Sequence, residues 1–118
     1  MIMGTLTEED ACKQAFVMAI RDALNVISGK WKLAIVCALL TGERRFNEIE
    51  RLLKDITPRM LARELKELEI NGVVSKRQIQ DNNKDVQVYV LTDSGQKLQD
   101  VIIQMAQWGV DHRKAICT

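Results

Sequence analysis

The sequence predicts a mainly α chain with one small β-hairpin, an α+β arrangement, on three observations. Two apolar stripes at helical spacing, within Arg45–Lys54 and Arg59–Ile70, are separated by little more than Asp55, Ile56, Thr57 and Pro58. Two alternating, β-branched runs follow at once, Val73–Ile79 and Val86–Leu91. Wider apolar stripes flank this centre toward both ends of the chain. Two helices joined through so short a turn cross steeply, and a hairpin directly after the second is a wing. The architecture these features predict is a winged helix-turn-helix with N- and C-terminal dimerisation helices.

The second central helix has the clearest local signals. Thr57 offers an oxygen as N-cap, and Pro58 occupies the first helical position, where its missing N–H costs nothing. Leu61, Leu65 and Leu68 stack on one side and must face a core, and Asn71-Gly72 supplies a left-handed exit. Arg59, Ala62, Arg63 and Lys66 fall on the outward side, a basic face with a small residue in it, suited to a major groove. A solvated helix shows the same pattern, and Glu64, Glu67 and Glu69 are available to pair with those cations. The preceding helix favours the DNA reading, because its stripe of Phe46, Ile49, Leu52 and Leu53 completes a helix-turn-helix.

Charge is distributed in the same sense. The net charge is only +1, but Gly29–Arg77 holds eleven Lys or Arg against seven Asp or Glu, leaving six against nine elsewhere. The chain of 118 residues reads as one domain, 11–112, with an N-terminal arm at 1–10 and a C-terminal tail at 113–118. No apolar run approaches the ~18 residues of a membrane span, and Met1-Ile2-Met3-Gly4 lacks a signal peptide's regions. A cytoplasmic protein without membrane contact is expected. Cys12, Cys37 and Cys117 are odd in number and widely spaced, which argues against a disulfide framework or structural zinc; no metal and no cofactor are expected.

Ahead of the centre, Thr7 with Glu8, Glu9 and Asp10 marks a helix start. Phe16, Val17, Ile20, Ala23, Leu24 and Ile27 continue that helix as a wide stripe ending at Ser28-Gly29. Lys30–Leu40 is apolar almost all round and reads as a core helix, with Cys37 a small buried hydrophobe inside it. After the centre, Gln80–Asp85 reads as a loose polar tip, and Lys76, Arg77 and Lys84 put cations on the wing near phosphates or a minor groove. The same cations would idle on an ordinary solvated hairpin.

Thr92 caps a last helix whose Leu98, Val101, Ile102, Met105 and Trp108 share a face, with Ile103 off it. Apolar surface in excess at both ends suggests a homodimer in which Phe16, Val17 and Ile20 meet Val101, Ile102, Met105 and Trp108 across a two-fold axis. Packing of both helices on their own domain is the alternative.

Over Cys12–His112 the chain resembles the HxlR family of bacterial winged-helix transcriptional regulators. The residues that carry the resemblance are Ala23–Leu33 around Gly29-Lys30-Trp31, then Arg45-Phe46-Asn47-Glu48-Ile49 and Ile56-Thr57-Pro58-Arg59-Met60-Leu61. Leu65–Glu69, Tyr89–Gly95 and Trp108-Gly109 complete them. The resemblance implies a dimeric, sequence-specific regulator of double-stranded DNA, with the recognition helix, about 58–70, in the major groove and the wing on flanking DNA. It assigns Arg59, Ala62 and Arg63 to base edges or phosphates and Arg45 and Lys76 to the backbone; Thr57, Lys66, Arg77 and Lys84 complete the candidate set.

Some members of that family sense electrophiles or oxidants through a cysteine placed as Cys12 is. Here the family's following proline is replaced by Lys13, which favours the thiolate, while Glu8, Glu9 and Asp10 oppose it. A small-molecule or electrophile effector acting at Cys12 is therefore the candidate switch. An enzyme is disfavoured, since the single histidine, His112, has no paired nucleophile motif and no glycine-rich phosphate loop is present. The stronger rival is a winged helix that docks proteins without reading DNA.

Overall fold

The computed structural model describes residues 14–117. The arm at 1–10 and Cys12 lie outside them. In chain order the elements are α1 (Gln14–Ile27), α2 (Lys32–Leu39), α3 (Phe46–Leu53) and α4 (Pro58–Ile70). Then come β1 (Val74–Asp81), β2 (Lys84–Leu91), α5 (Asp93–Gln96) and α6 (Leu98–Ile116).

The core gathers where α2, α3 and α4 meet the base of the hairpin. Ile35, Val36 and Leu39 from α2 pack with Ile49 of α3, with Leu61, Leu65 and Leu68 of α4, and with Val74 and Leu91 of the strands. The buried residues of α2 are Lys32, Ile35, Val36 and Leu39, which the 3.6-residue repeat places on one side. Cys37 lies about 200° around the helix from Ile35 and is exposed. The expectation of a buried thiol there is thus corrected: an all-apolar helix shows no face in its sequence, and its packing partners chose one. On α3, Ile49 is buried and Phe46 and Leu53 pack at the core edge, but Leu52 is 51% exposed.

The turn between α3 and α4 depends on Lys54, whose φ of 59° reverses the chain, and on Ile56, which is buried beneath it. Thr57 then caps α4 as expected, its Oγ1 accepting from the Met60 amide at 3.1 Å, with Pro58 at the first helical position. At the far end Gly72, with φ of 75°, turns the chain into β1.

The strands pair antiparallel from Val74↔Leu91 to Asp81↔Lys84. The expected loose tip is instead a tight one: Gln80↔Asp85 and Asp81↔Lys84 are ladder pairs, and only Asn82 and Asn83 turn the chain, with φ of 53° and 65°. Positive φ at both central residues is the hairpin geometry matching strand twist, and asparagine tolerates it. Arg44 adds a one-residue bridge to Tyr89, through hydrogen bonds of 3.1 and 2.8 Å, on the free side of β2.

Thr92 closes the hairpin onto the last helices. Its Oγ1 donates to Gly72 O at 2.6 Å and accepts from the Gly95 amide at 3.1 Å. The helix it starts breaks after Gln96, so α5 and α6 replace the single helix expected. Helix α6 runs on to Ile116, through most of the stretch set apart as a tail at 113–118. Leu98 and Ile102 pack against the core, so Ile102, expected on the dimer face, serves its own domain at least in part. Among the described residues none of α6 is buried, and Met105 is 52% and Trp108 66% exposed.

Candidate nucleic-acid interface

The basic face of α4 is held outward by what lies behind it. Leu61, Glu64, Leu65 and Leu68 turn into the domain, leaving Arg59, Ala62, Arg63 and Lys66 exposed. The glutamates available to neutralise those cations mostly have other partners. Lys32, only 8% exposed, donates from Nζ to Glu64 Oε2 at 2.6 Å and to Glu67 Oε2 at 2.5 Å. Burial opposes the Lys32 ammonium, but the two hydrogen bonds and the carboxylate charges outweigh it, so its pKa lies above the ordinary lysine value. The Lys32 hydrogen bond and charge in turn hold the Glu67 carboxyl below its ordinary value.

What remains for Arg63 is a long contact, Nη2 to Glu64 Oε1 at 3.6 Å, with its side chain 66% exposed. Arg59 and Lys66 form no ion pair among the described residues. Lys32 was not singled out in the sequence. A lysine inside an otherwise apolar helix was the available signal, but its partners lie 32 and 35 residues away.

The wing divides its cations between two faces, because side chains alternate along a strand. Lys76 opposes Tyr89 in the ladder and turns toward α4, where Nζ lies 3.8 Å from Glu69 Oε1. Ala62, Lys66, Glu69, Lys76 and Tyr89 line a notch of about 210 Å³ between helix and wing. Arg77 points to the other face and pairs with Glu43, and Arg45 pairs with Asp81 beside the tip. Both pairs reach across β2 from the segment before α3. They brace the wing, and phosphates would have to compete with carboxylates for these two arginines. Lys84 stands exposed at the tip. On the other flank of α4, Arg59, Met60 and Arg63 line a second hollow of about 360 Å³. The candidate residues brought together are thus Arg59, Ala62, Arg63, Lys66 and Lys76, with Arg45 and Arg77 set apart.

Away from this face, Val17 and Ile20 of α1 are about half exposed, and Phe16 is half-buried. Asp100, Val101, Gln104, Met105 and Trp108 of α6 line an apolar hollow of about 460 Å³. Trp108 stacks on His112 with ring centroids 4.6 Å apart. No described helix is long and apolar enough to cross a membrane. Among the described residues no three His, Cys, Asp or Glu side chains converge as a metal site.

Comparison with known proteins agrees with this geometry. The family model for the HxlR-like helix-turn-helix matches residues 26–116. The HTH-type transcriptional regulator YtcD of Bacillus subtilis strain 168 is 34% identical over 100 residues, 85% of this chain and 79% of YtcD. The redox regulator HypR in its reduced form superposes with a TM-score of 0.74 at 35% identity, over 83% of this chain and 96% of HypR. Quinone-bound YodB from B. subtilis superposes with a TM-score of 0.69 at 31% identity, over 80% of this chain and 98% of YodB. These relatives are winged-helix regulators of transcription and not enzymes, and with the family model spanning α2 through α6, this chain belongs to the HxlR-like helix-turn-helix family of DNA-binding transcriptional regulators.

Proposed function

We propose that this chain acts as a homodimer that binds double-stranded DNA with sequence preference, α4 lying in the major groove and the wing on flanking backbone. The observation that carries this reading is the exposed basic face of α4, on which Arg59 and Lys66 form no ion pair among the described residues and Arg63 keeps only a 3.6 Å contact with Glu64. With Glu64 and Glu67 turned back to a lysine inside the domain, the outward face of α4 keeps its positive charge. The half-exposed apolar residues of α1 and α6 support two-fold pairing through those helices, which would set two recognition helices about one DNA turn apart.

We infer a thiol-responsive switch at Cys12 as part of this function. HypR is described as a redox regulator, and YodB has been seen with a quinone bound. Their likeness to this chain supports an electrophile or oxidant as effector.

Fluorescence anisotropy tests both parts, using the duplex upstream of the chain's own gene against a random duplex, across a salt series, with and without a thiol-modifying electrophile. Tight, salt-steep, sequence-preferring binding that modification abolishes, but not in Cys12→Ser, is the expected result. Loss of binding in Cys12→Ser as well would assign the switch to Cys37 or Cys117, both exposed. Binding without steep salt dependence, or with none, would favour a protein-docking winged helix.

A further inference from the structure

We propose that the notch between α4 and the wing seats one backbone phosphate of bound DNA between Lys66 and Lys76, and that Glu69 is the carboxylate this phosphate displaces. Glu69 thereby sets the threshold for binding DNA of any sequence. The inference rests on the DNA reading above and names a residue that weakens the interface from within it.

Three observations converge on the notch. Ala62, Lys66 and Glu69 follow one another along α4 at i, i+4 and i+7, so one methyl, one ammonium and one carboxylate line the same wall. Lys76 enters from the opposite wall, beside its ladder partner Tyr89. Ala62 contributes only a methyl to the lining. Two ammonium groups facing one small concavity, with a single carboxylate between them, leave an uncompensated positive charge. A phosphodiester oxygen supplies the missing one.

Glu69 differs from the other carboxylates of α4. Glu64 and Glu67 are committed to Lys32 at 2.6 and 2.5 Å, whereas Glu69 meets Lys76 only at 3.8 Å, with side chains 33% and 45% exposed. A solvated pair at that distance is weak, so a phosphate can take Lys76 from it. The exchange costs the Lys76–Glu69 contact, and this cost is the same whatever bases flank the phosphate.

The test measures binding of the full chain to a mixed-sequence 30-bp duplex across a salt series, for the unaltered protein, Glu69→Gln, Lys76→Ala and the double variant. Glu69→Gln is expected to tighten binding roughly three- to tenfold at low salt and to steepen the logarithmic salt slope by up to about one, with its thermal midpoint unchanged. In the Lys76→Ala background the tightening should fall below about twofold, since the ammonium that Glu69 holds is gone. Tightening that persists undiminished in that background would overturn the proposal, because the effect would then be general charge and not competition for Lys76. Unchanged affinity in Glu69→Gln, beside clear binding by the unaltered chain, would overturn it while leaving the DNA reading intact. Absence of salt-dependent binding by the unaltered chain would overturn both.

Discussion

Lys32 and Glu64 meet at 2.6 Å across the interface of α2 and α4, each side chain only 10% exposed. One lysine at the back of the recognition helix thus holds two of the helix's carboxylates. Removing it would leave the buried Glu64 carboxylate with only the long Arg63 contact of 3.6 Å as counter-charge, a larger penalty than loss of a surface pair.

Lys32→Met should therefore cost about 3 kcal/mol of stability, measured by denaturant unfolding. Adding Glu64→Gln to it should recover part of that loss, because the orphaned charge is removed. Lys32→Met should also weaken DNA binding more than its stability explains, since Glu64 and Glu67 become free to draw in Arg63.

The same cluster gives stability a pH dependence at both ends. The Glu67 pKa is lowered in the folded state, so its contribution is complete above the unfolded value of about 4.3 and is lost as pH falls through the lower folded value. Lys32 is raised, so its contribution is complete below about 10.4 and is lost as pH rises through the higher folded value. Unfolding midpoints of Glu67→Gln and the unaltered chain should differ at neutral pH and converge in acid. A constant difference down to pH 2 would show that the carboxylate charge is not what matters.

Gly95→Ala should cost about 1 to 3 kcal/mol, although Gly95 sits in a helical turn where alanine is intrinsically favoured. A Cβ there would lie 2.3 Å from the Val73 carbonyl oxygen, which is backbone and hydrogen-bonded to the Thr92 amide. Thermal unfolding decides the sign: a raised midpoint would show that the chain can open this junction freely.

At the wing tip, Asn83→Val should cost about 1 to 2 kcal/mol, because a β-branched residue is strained at a φ of 65°. Asn83→Gly should be neutral or slightly stabilising. Equal stability of the two variants, by thermal unfolding, would argue for a tip that rearranges without cost.

Arg59→Ala should lose about 1 to 3 kcal/mol of DNA affinity and relax the preference at one base pair. Lys76→Ala should weaken all sequences alike and flatten the salt slope by about one. Competition binding with a preferred fragment and its single-base variants separates the two. Uniform loss in Arg59→Ala would remove this residue as a base reader.

Met105→Glu should dissociate the proposed dimer while leaving the fold of each chain intact, because Met105 is half exposed in the single chain and contributes little to its core. Analytical ultracentrifugation together with circular dichroism reads both. A dimer that survives this change would move the interface away from α6.

The helix-turn-helix, its caps and the hairpin were legible residue by residue. Thr57-Pro58, Gly72 and Thr92 act on the backbone within a few residues of themselves, and Leu61, Leu65 and Leu68 can face only one way on a helix. Where the local pattern was ambiguous, the tertiary arrangement settled the outcome. Cys37 lies on a helix apolar almost all round, so nothing local could say that it faces out, and Gln80 and Asp85 proved to be ladder partners rather than part of a loose loop. The basic interface shows the same division. Arg59, Arg63 and Lys66 announced themselves by spacing, but nothing local announced that Glu64 and Glu67 would turn to Lys32, 32 and 35 residues away. Ionic partners far apart in sequence leave no periodic trace, because a charge pairs with whatever the fold brings within a few ångströms, and only packing α2 behind α4 brought that lysine there.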